Sequence, residues 1–219
     1  MRPQTYAVAA SAATVLAISA TAALAAPPTP HQLTISAQPA KVVFGKPVAI
    51  TGKLTGENSA GETITLRDDP FPFDGFKNLA TASAAADGAY SFAAVPTVNT
   101  RYQTTAKTKS PATSPVVTVL VAPKISFKVS DKTPAAGHRV TFKGTVAPAH
   151  DGQTVLLQRR TSSGKWKTVA TIPLTDAGTA VSAYSRRKKV SSSGRYRVVK
   201  PADADHALGR SSKRRLTVH

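Results

Sequence analysis

The sequence predicts an all-β protein made of two tandem antiparallel β-sandwiches of about seven strands each, preceded by a signal peptide. Three observations predict this. Short runs rich in Val, Ile, Thr, Tyr and Phe alternate with Gly, Pro, Asp and Ser clusters, which is typical of sandwich strands and their turns. The same plan occurs twice along the 219 residues, and the chain starts with the pattern of an export signal. No later segment shows a 3.6-residue apolar period, so we expect almost no helix.

The first element is a predicted export signal over residues 1–25. Arg2 provides a short positive region, an apolar stretch follows from Ala7 to about Ala20, and Ala23-Leu24-Ala25 provides the small residues needed for cleavage. Cleavage after Ala25 is favoured because the next bond would leave Pro27 at the following position. A retained membrane anchor is the alternative, but Ser and Thr interrupt the alanine-rich segment. No second apolar run of spanning length follows. We expect a secreted, extracellular protein, with association with the cell wall as an option.

The remaining chain divides into a Pro-rich lead at 26–30 and two matched halves, 31–122 and 123–219. FGKPVAITGKL (44–54) matches AGHRVTFKGTV (136–146), GETITLR (61–67) matches GQTVLLQ (152–158), and FKNLAT (76–81) matches WKTVAT (166–171). Further along, DGAYSF (87–92) is matched with DAGTAV (176–181), and RYQTTA (101–106) with RYRVVK (195–200). Two copies of such a long unit indicate tandem domains, since solenoid repeats are much shorter.

Alternation within the second half predicts which side chains face the core. Val140, Phe142 and Val146 are expected to point inward from one strand, and Tyr196 and Val198 from another. Trp166 is also expected in the core, because large rings in sandwiches are commonly buried.

Glycines and alternating apolar residues recur through the second half, in AGHRVTFKGTV (136–146), GQTVLLQ (152–158), WKTVAT (166–171) and GRYRVV (194–199). With this pattern the second half resembles the bacterial Ig-like modules of exported proteins from high-GC Gram-positive bacteria. The first half resembles them less closely, and its DGAYSF segment is also similar to carboxypeptidase-regulatory-like sandwiches. The resemblance implies two Ig-like β-sandwiches and an extracellular interaction role, and it implies no common catalytic activity. It is carried by Gly137, Val140, Phe142, Gly144, Val146, Gly152, Val155, Leu157, Gln158, Arg159, Arg160, Gly164, Trp166, Val169, Ala170, Thr171, Gly194, Tyr196, Arg197 and Val198.

The positive charge of the chain is concentrated in the second half. Residues 123–219 contain twenty Lys and Arg against five Asp, a net charge of +15, whereas residues 27–122 contain eight against six acids, a net charge of +2. Solubility needs only a few net charges, so this asymmetry points to an anionic partner. An anionic cell-envelope polymer or polysaccharide is the predicted ligand, and non-specific nucleic-acid binding is also consistent. Sequence-specific DNA reading is disfavoured because no recognition helix is predicted.

Strand phase predicts where part of this charge lies. If Tyr196 and Val198 point inward, Arg160, Arg195, Arg197 and Arg215 share the outer face of three neighbouring strands. A second basic run is expected at the nearby end of the sandwich and consists of Arg186, Arg187, Lys188 and Lys189. For each of these residues, ordinary solvated strand surface is the competing interpretation.

The sequence offers no catalytic motif, and we expect no enzymatic activity, cofactor or metal. It has no cysteine, and none of its five histidines lies in an HExxH spacing. Asp203, Asp205 and His206 lie together in a predicted loop, as do Asp68, Asp69 and Asp74, but neither spacing matches a known metal-binding motif.

A phenylalanine-rich loop provides the main alternative function. If exposed, Phe71, Phe73 and Phe76 would form an apolar tip for a protein partner, making the chain an accessory or inhibitory protein. If buried, they close the end of the first sandwich, which is the favoured interpretation. A structural secreted module without a dedicated ligand is the third possibility. In each case we expect a monomer.

Overall fold

The computed structural model describes residues 30–109, 111–178 and 180–219, and it confirms an all-β fold. Its strands form four sheets, two before Pro123 and two after it. The described residues contain no helix, and so none that could cross a membrane. The predicted signal peptide, residues 1–25, lies outside the described residues.

The first sandwich contains ten strands in two facing sheets. Its strands are β1 (Gln32–Leu33), β2 (Ser36–Gln38), β3 (Lys41–Val43), β4 (Val48–Thr55), β5 (Thr63–Pro70), β6 (Lys77–Ser83), β7 (Ala89–Ala94), β8 (Thr100–Ala106), β9 (Ala112–Thr113) and β10 (Val117–Ala122). In one sheet β4 pairs with β1, β2 and β7, and in the other the order is β3–β10–β8–β5–β6 with β9 on β8. The β3–β10 pair is parallel and the other pairs are antiparallel.

The second sandwich repeats this plan with ten strands. They are β11 (Lys124–Ile125), β12 (Lys128–Val129), β13 (Arg139–Ala147), β14 (Thr154–Arg160), β15 (Trp166–Pro173), β16 (Thr175–Asp176), β17 (Ser182–Lys189), β18 (Gly194–Lys200), β19 (Gly209–Arg210) and β20 (Arg214–Leu216). One sheet has the order β11–β13–β17–β16, with β12 also on β13. The other has the order β15–β14–β18–β19, with β20 also on β18.

The strand count exceeds seven per sandwich because the first and last strands of each sandwich are interrupted, and because the second sandwich adds the short strand β16, which pairs with β17. Pro39 lies between β2 and β3, where it has no N–H to donate to a ladder. With these pieces joined, the pairing of β14, β18 and β20 opposite β12, β13 and β17 is the arrangement of an Ig-like sandwich.

Each sandwich has its own apolar core. In the second, Val140, Phe142, Val146 and Val198 are fully buried and Tyr196 is nearly so, which confirms their predicted inward phase. The rings of Phe142 and Tyr196 lie 5.1 Å apart and link the two sheets.

In each sandwich, a tyrosine side chain packs across a glycine of the neighbouring strand. Gly144 in β13 pairs with Tyr184 in β17, whose hydroxyl donates to the Ser126 carbonyl at 2.6 Å. In the first sandwich Gly52 pairs with Tyr90, whose hydroxyl donates to the Thr34 carbonyl. The predicted match of DGAYSF with DAGTAV is therefore wrong, because the structural counterpart of Ala89-Tyr90-Ser91 is Ala183-Tyr184-Ser185.

The loop at 201–208, between β18 and β19, ties the second sandwich to the first. The Asn99 N–H donates to the Asp205 carbonyl, and the Ala207 N–H donates to the Val121 carbonyl, both at 2.8 Å. Lys41 Nζ donates to the Leu208 carbonyl at 2.8 Å. Backbone contacts of this kind hold the loop in one position against the neighbouring sandwich.

Candidate functional site

Strand pairing places four of the predicted cations on one outer surface of the second sandwich. Arg195 in β18 pairs with Arg215 in β20, and Arg197 pairs with Gln158 in β14, two residues before Arg160. Opposite residues of a ladder share a face, and so do residues two apart along a strand. Tyr196 and Val198 occupy the core side of β18, so these arginines point away from the core.

A fifth arginine that sequence analysis missed joins them. Arg210 in β19 is exposed and pairs with Val199, which lies on the same side of β18 as Arg195 and Arg197. We call the set of Arg160, Arg195, Arg197, Arg210 and Arg215 the arginine face.

Trp166 also lies on the arginine face, so its predicted place in the core is wrong. Trp166 is half-buried and pairs with Arg160, and the Arg197 guanidinium carbon lies 4.1 Å from the centre of its ring. The cause is a bulge in β15 at Val169. The bulge makes Trp166 and Thr168 face outward although Ile172, further along the strand, faces the core.

Several contacts hold the arginines of this face in place. Arg197 Nε donates to Gln158 Oε1 at 2.9 Å, and Arg160 Nε donates to the Gly164 carbonyl at 3.0 Å. Partial burial, followed by the nearby charge of Arg210, lowers the pKa of Arg197. The guanidinium nevertheless stays charged at any physiological pH because arginine is so strongly basic.

No carboxylate of the described chain pairs with the arginine face. The ion pairs among the described residues involve other cations, namely Lys53, Arg101, His150, Lys200 and His206. The remaining donors of the arginine face are therefore available to an external anion.

The run Arg186–Lys189 lies in the opposite sheet and not beside the arginine face. It belongs to β17, which pairs with β13 and not with β14 or β18. Arg187 and Lys189 point outward there, whereas Arg186 and Lys188 pair with the core residues Phe142 and Val140 and therefore lie on the core side of β17. The outward cations of this second surface, called here the opposite face, are Lys128, Arg139, Lys143, Arg187 and Lys189. The eight predicted cations are therefore divided between the two sheets, and the second basic run does not extend the arginine face.

The equivalent surface of the first sandwich is neutralised. Asp69 in β5 pairs with Arg101 in β8, and the carboxylate lies 3.9 Å from the Arg101 guanidinium. Arg101 and Asp69 occupy the positions that Arg195 and Arg160 occupy in the second sandwich. The two sandwiches therefore differ in charge even at equivalent positions: an ion pair in the first sandwich is replaced by two arginines in the second.

The phenylalanine loop covers this neutralised surface. The Arg101 guanidinium carbon lies 4.0 Å from the ring centre of Phe73, whose ring lies 5.6 Å from that of Phe71. Arg67 lies 5.6 Å from the ring centre of Phe76. All three phenylalanines are half-buried and none belongs to the core cluster, so the favoured expectation that they close the end of the sandwich is wrong.

Asp69 is not free to act with Asp68 and Asp74 as a calcium ligand. It is buried, and it accepts a hydrogen bond from the Gly75 N–H at 3.0 Å. Among the described residues, three or more metal-ligating side chains converge elsewhere, at His150, Asp203, Asp205 and His206. The last three lie in one loop predicted from the sequence, but nothing in the sequence connects them with His150, which lies about fifty residues earlier.

Burial and hydrogen bonds shift the pKa values of two residues of this His–Asp group, His150 and Asp203. Desolvation lowers the pKa of His150, so its ring is neutral at pH 7. Desolvation alone would raise the pKa of Asp203. Hydrogen bonds with the Lys200 and Asp205 side chains and from the His206 N–H, together with the Lys200 charge, lower it well below its usual range. The Lys200 side chain is only 2% exposed, and its ammonium lies 2.6 Å from the Asp203 carboxylate.

The fold and the arginine face define an Ig-like tandem module with an unpaired cationic surface. No family model matches the chain, and no curated protein is significantly similar to it. The crystal structure of bovine butyrophilin is similar to it over 86% of this chain and 99% of that chain, with 12% sequence identity and a TM-score of 0.42. That similarity is too low to carry any argument about function.

Proposed function

We propose that the protein is a non-catalytic, exported module that binds an anionic envelope polymer through the arginine face. The observation that carries the proposal is the convergence of five arginines on one sheet surface without a carboxylate partner among the described residues. Guanidinium groups suit phosphate and carboxylate because each can donate two parallel hydrogen bonds.

The spacing of the arginines favours a polymer over a single small anion. Neighbouring strands lie about 4.8 Å apart, and residues two apart along a strand lie about 6.7 Å apart. A grid of this spacing presents several separate donors to a chain with repeated anionic groups. Trp166, beside Arg197, offers an apolar surface against which a sugar ring or polymer backbone can pack.

The experiment uses the mature chain, residues 26–219, with heparin and a poly(glycerol phosphate) teichoic acid as probes. Trp166 is the only tryptophan, so its fluorescence reports directly on the arginine face. We expect saturable binding of both probes, and a plot of log K against log salt with a slope of about −3, by analogy with single-stranded polyphosphates.

The matched variants compare the two basic faces at equal charge. Replacing Arg160, Arg195, Arg197 and Arg215 with Gln should weaken binding about 30-fold, since each exposed ion pair contributes about 0.5 kcal/mol. Replacing Arg139, Lys143, Arg187 and Lys189 with Gln removes the same four charges from the opposite face and should weaken binding only a few-fold. Arg101→Gln, in the neutralised first sandwich, should change little.

The outcomes separate the proposal from its alternatives. Equal weakening by the two fourfold variants would contradict the arginine face as the site and would indicate diffuse attraction to the whole sandwich. Binding that does not respond to salt, or no binding to either probe, would contradict the polyanion function itself. A protein ligand retained at high salt and lost on Phe73→Ala would instead indicate an accessory role for the first sandwich.

A further inference from the structure

Two loops of the second sandwich bring imidazole and carboxylate groups together beside the first sandwich. His150 lies in the loop between β13 and β14, and Asp203, Asp205 and His206 lie in the loop at 201–208. One ligand atom from each lies within 4.8 Å of those of the other three. We call these four residues the His–Asp cluster.

Hydrogen bonds to carbonyl groups fix which nitrogen of each histidine carries its proton. His150 Nδ1 lies 2.7 Å from the Pro148 carbonyl, and His206 Nε2 lies 2.9 Å from the Thr97 carbonyl of the first sandwich. A carbonyl oxygen only accepts, so the nitrogen facing it must be the N–H. In the neutral rings, His150 Nε2 and His206 Nδ1 are therefore bare lone pairs. Metal-binding histidines are oriented by the same device.

Both lone pairs point at carboxylates and have no hydrogen-bond partner among the described residues. His150 Nε2 lies 3.6 Å from Asp203 Oδ2, and His206 Nδ1 lies 3.1 Å from Asp205 Oδ1. The two histidine side chains are only 3% and 2% exposed, so water does not readily satisfy them. A cation held between the two histidine nitrogens and the carboxylates would give both buried nitrogens a partner.

We propose that the His–Asp cluster binds one divalent transition-metal ion of the zinc class. The donor set would be His150 Nε2, His206 Nδ1 and one oxygen each from Asp203 and Asp205. Imidazole and carboxylate ligands suit zinc at bond lengths of about 2.0–2.2 Å, which places tetrahedral ligand atoms about 3.5 Å apart. The cluster must contract by about 1 Å to reach this geometry, which small side-chain rotations of the two aspartates would provide.

Lys200 is the main competitor for the site. Its ammonium bonds Asp203 Oδ2 at 2.6 Å and the Pro201 carbonyl at 3.1 Å, so it supplies one positive charge next to the cluster. It does not reach the histidine lone pairs, which remain unpartnered. The lysine should therefore weaken metal binding without replacing the metal.

Metal binding at this site would stabilise the contact between the two sandwiches. His206 bonds the first sandwich through Nε2 and would bond the metal through Nδ1, and the backbones of its neighbours Asp205 and Ala207 pair with Asn99 and Val121. A metal that joins the 201–208 loop to His150 would hold this loop in its docked position.

The test titrates the chelator-treated mature chain with Zn²⁺ by calorimetry and with Co²⁺ by absorption spectroscopy. We expect one ion per chain, intense Co²⁺ absorption typical of a tetrahedral site, and a rise in Tm. His150→Gln and His206→Gln should each weaken binding at least 10-fold. Asp205→Asn should do the same without lowering the metal-free Tm, because its side chain is 39% exposed. Lys200→Met should strengthen binding about 10-fold.

His138→Gln is the matched control, because this histidine is exposed in a turn away from the cluster. Binding that is lost with His138→Gln, or that survives both His150→Gln and His206→Gln, would overturn the proposal. So would a failure of Zn²⁺ to bind at 100 micromolar, a test concentration at which a site of four protein ligands would be filled.

Discussion

Gly144→Ala should destabilise the second sandwich by about 3 kcal/mol, near the upper end of overpacking costs. A Cβ at this position would overlap the Ser126 carbonyl oxygen and lie 2.6 Å from the Tyr184 hydroxyl. The carbonyl belongs to the backbone and cannot rotate away. The Tyr184 ring, fully packed across the glycine, would have to move as well.

The measurement is urea unfolding of residues 26–219, followed by Trp166 fluorescence. Because Trp166 is the only tryptophan, fluorescence reports the second sandwich alone, and far-UV circular dichroism reports both. Gly52→Ala places a Cβ against the Thr34 carbonyl and the Tyr90 hydroxyl in the first sandwich. It should shift the dichroism transition and leave the fluorescence midpoint nearly unchanged.

Two control variants separate the steric effect from other causes. Tyr184→Phe removes only the hydrogen bond to Ser126 and should cost about 1 kcal/mol. Gly194→Ala adds a methyl group in the same sandwich, where it meets the movable side chain of Arg159, and should change stability by less than about 1 kcal/mol. If Gly144→Ala were as mild as Gly194→Ala, the steric argument would be wrong.

The parts of the fold that local patterns determine were predictable from the sequence. Strict alternation along β13 and β18 identified Val140, Phe142, Tyr196 and Val198 as core residues, because the side-chain period of a strand is two. The same alternation predicted the outward direction of Arg195 and Arg197. Where this two-residue alternation is not interrupted by a bulge, a few residues are enough to predict which side chains of a strand face the core.

Trp166 shows where local reasoning fails. The bulge at Val169 reverses the phase of β15 within one strand, and no residue type in WKTVAT marks it. Bulges shift the register by one residue, so every side chain beyond them changes face. For this reason the size of the Trp166 ring and its place in a strand wrongly predicted a core position.

The placement of Arg186–Lys189 and of His150 depended on long-range topology. Which sheet β17 joins is decided by pairing with β13, some forty residues away, and not by the composition of the run itself. His150 meets His206 because two loops lie at the same end of the sandwich, with ring centres 4.8 Å apart. A single sequence carries no direct signal for either contact.

Asp203→Asn should destabilise residues 26–219 by about 2 to 3 kcal/mol, even with chelator present to exclude any metal. The variant leaves the Lys200 ammonium, whose side chain is 2% exposed, without its carboxylate. Breaking a buried pair typically costs about 3 to 5 kcal/mol, and the 21% exposure of the Asp203 side chain reduces that figure. The 201–208 loop should loosen with it, so hydrogen exchange should speed up at the Asn99 and Ala207 amides, which pair across the boundary.

The double variant Lys200→Met with Asp203→Asn tests whether the unpaired charge is the cause. It removes both charges and should recover part of the loss, because an uncharged pair needs no ionic partner in a buried site. Asp131→Asn is the matched control, since Asp131 is exposed and accepts only a turn hydrogen bond from the Thr133 N–H. The double variant could instead be as unstable as Asp203→Asn alone. The loop would then depend on the hydrogen bond that Asp203 accepts from the His206 N–H, and not on the buried ion pair. Stability equal to that of Asp131→Asn would show that Lys200 finds another partner, and the loop would then not depend on this contact.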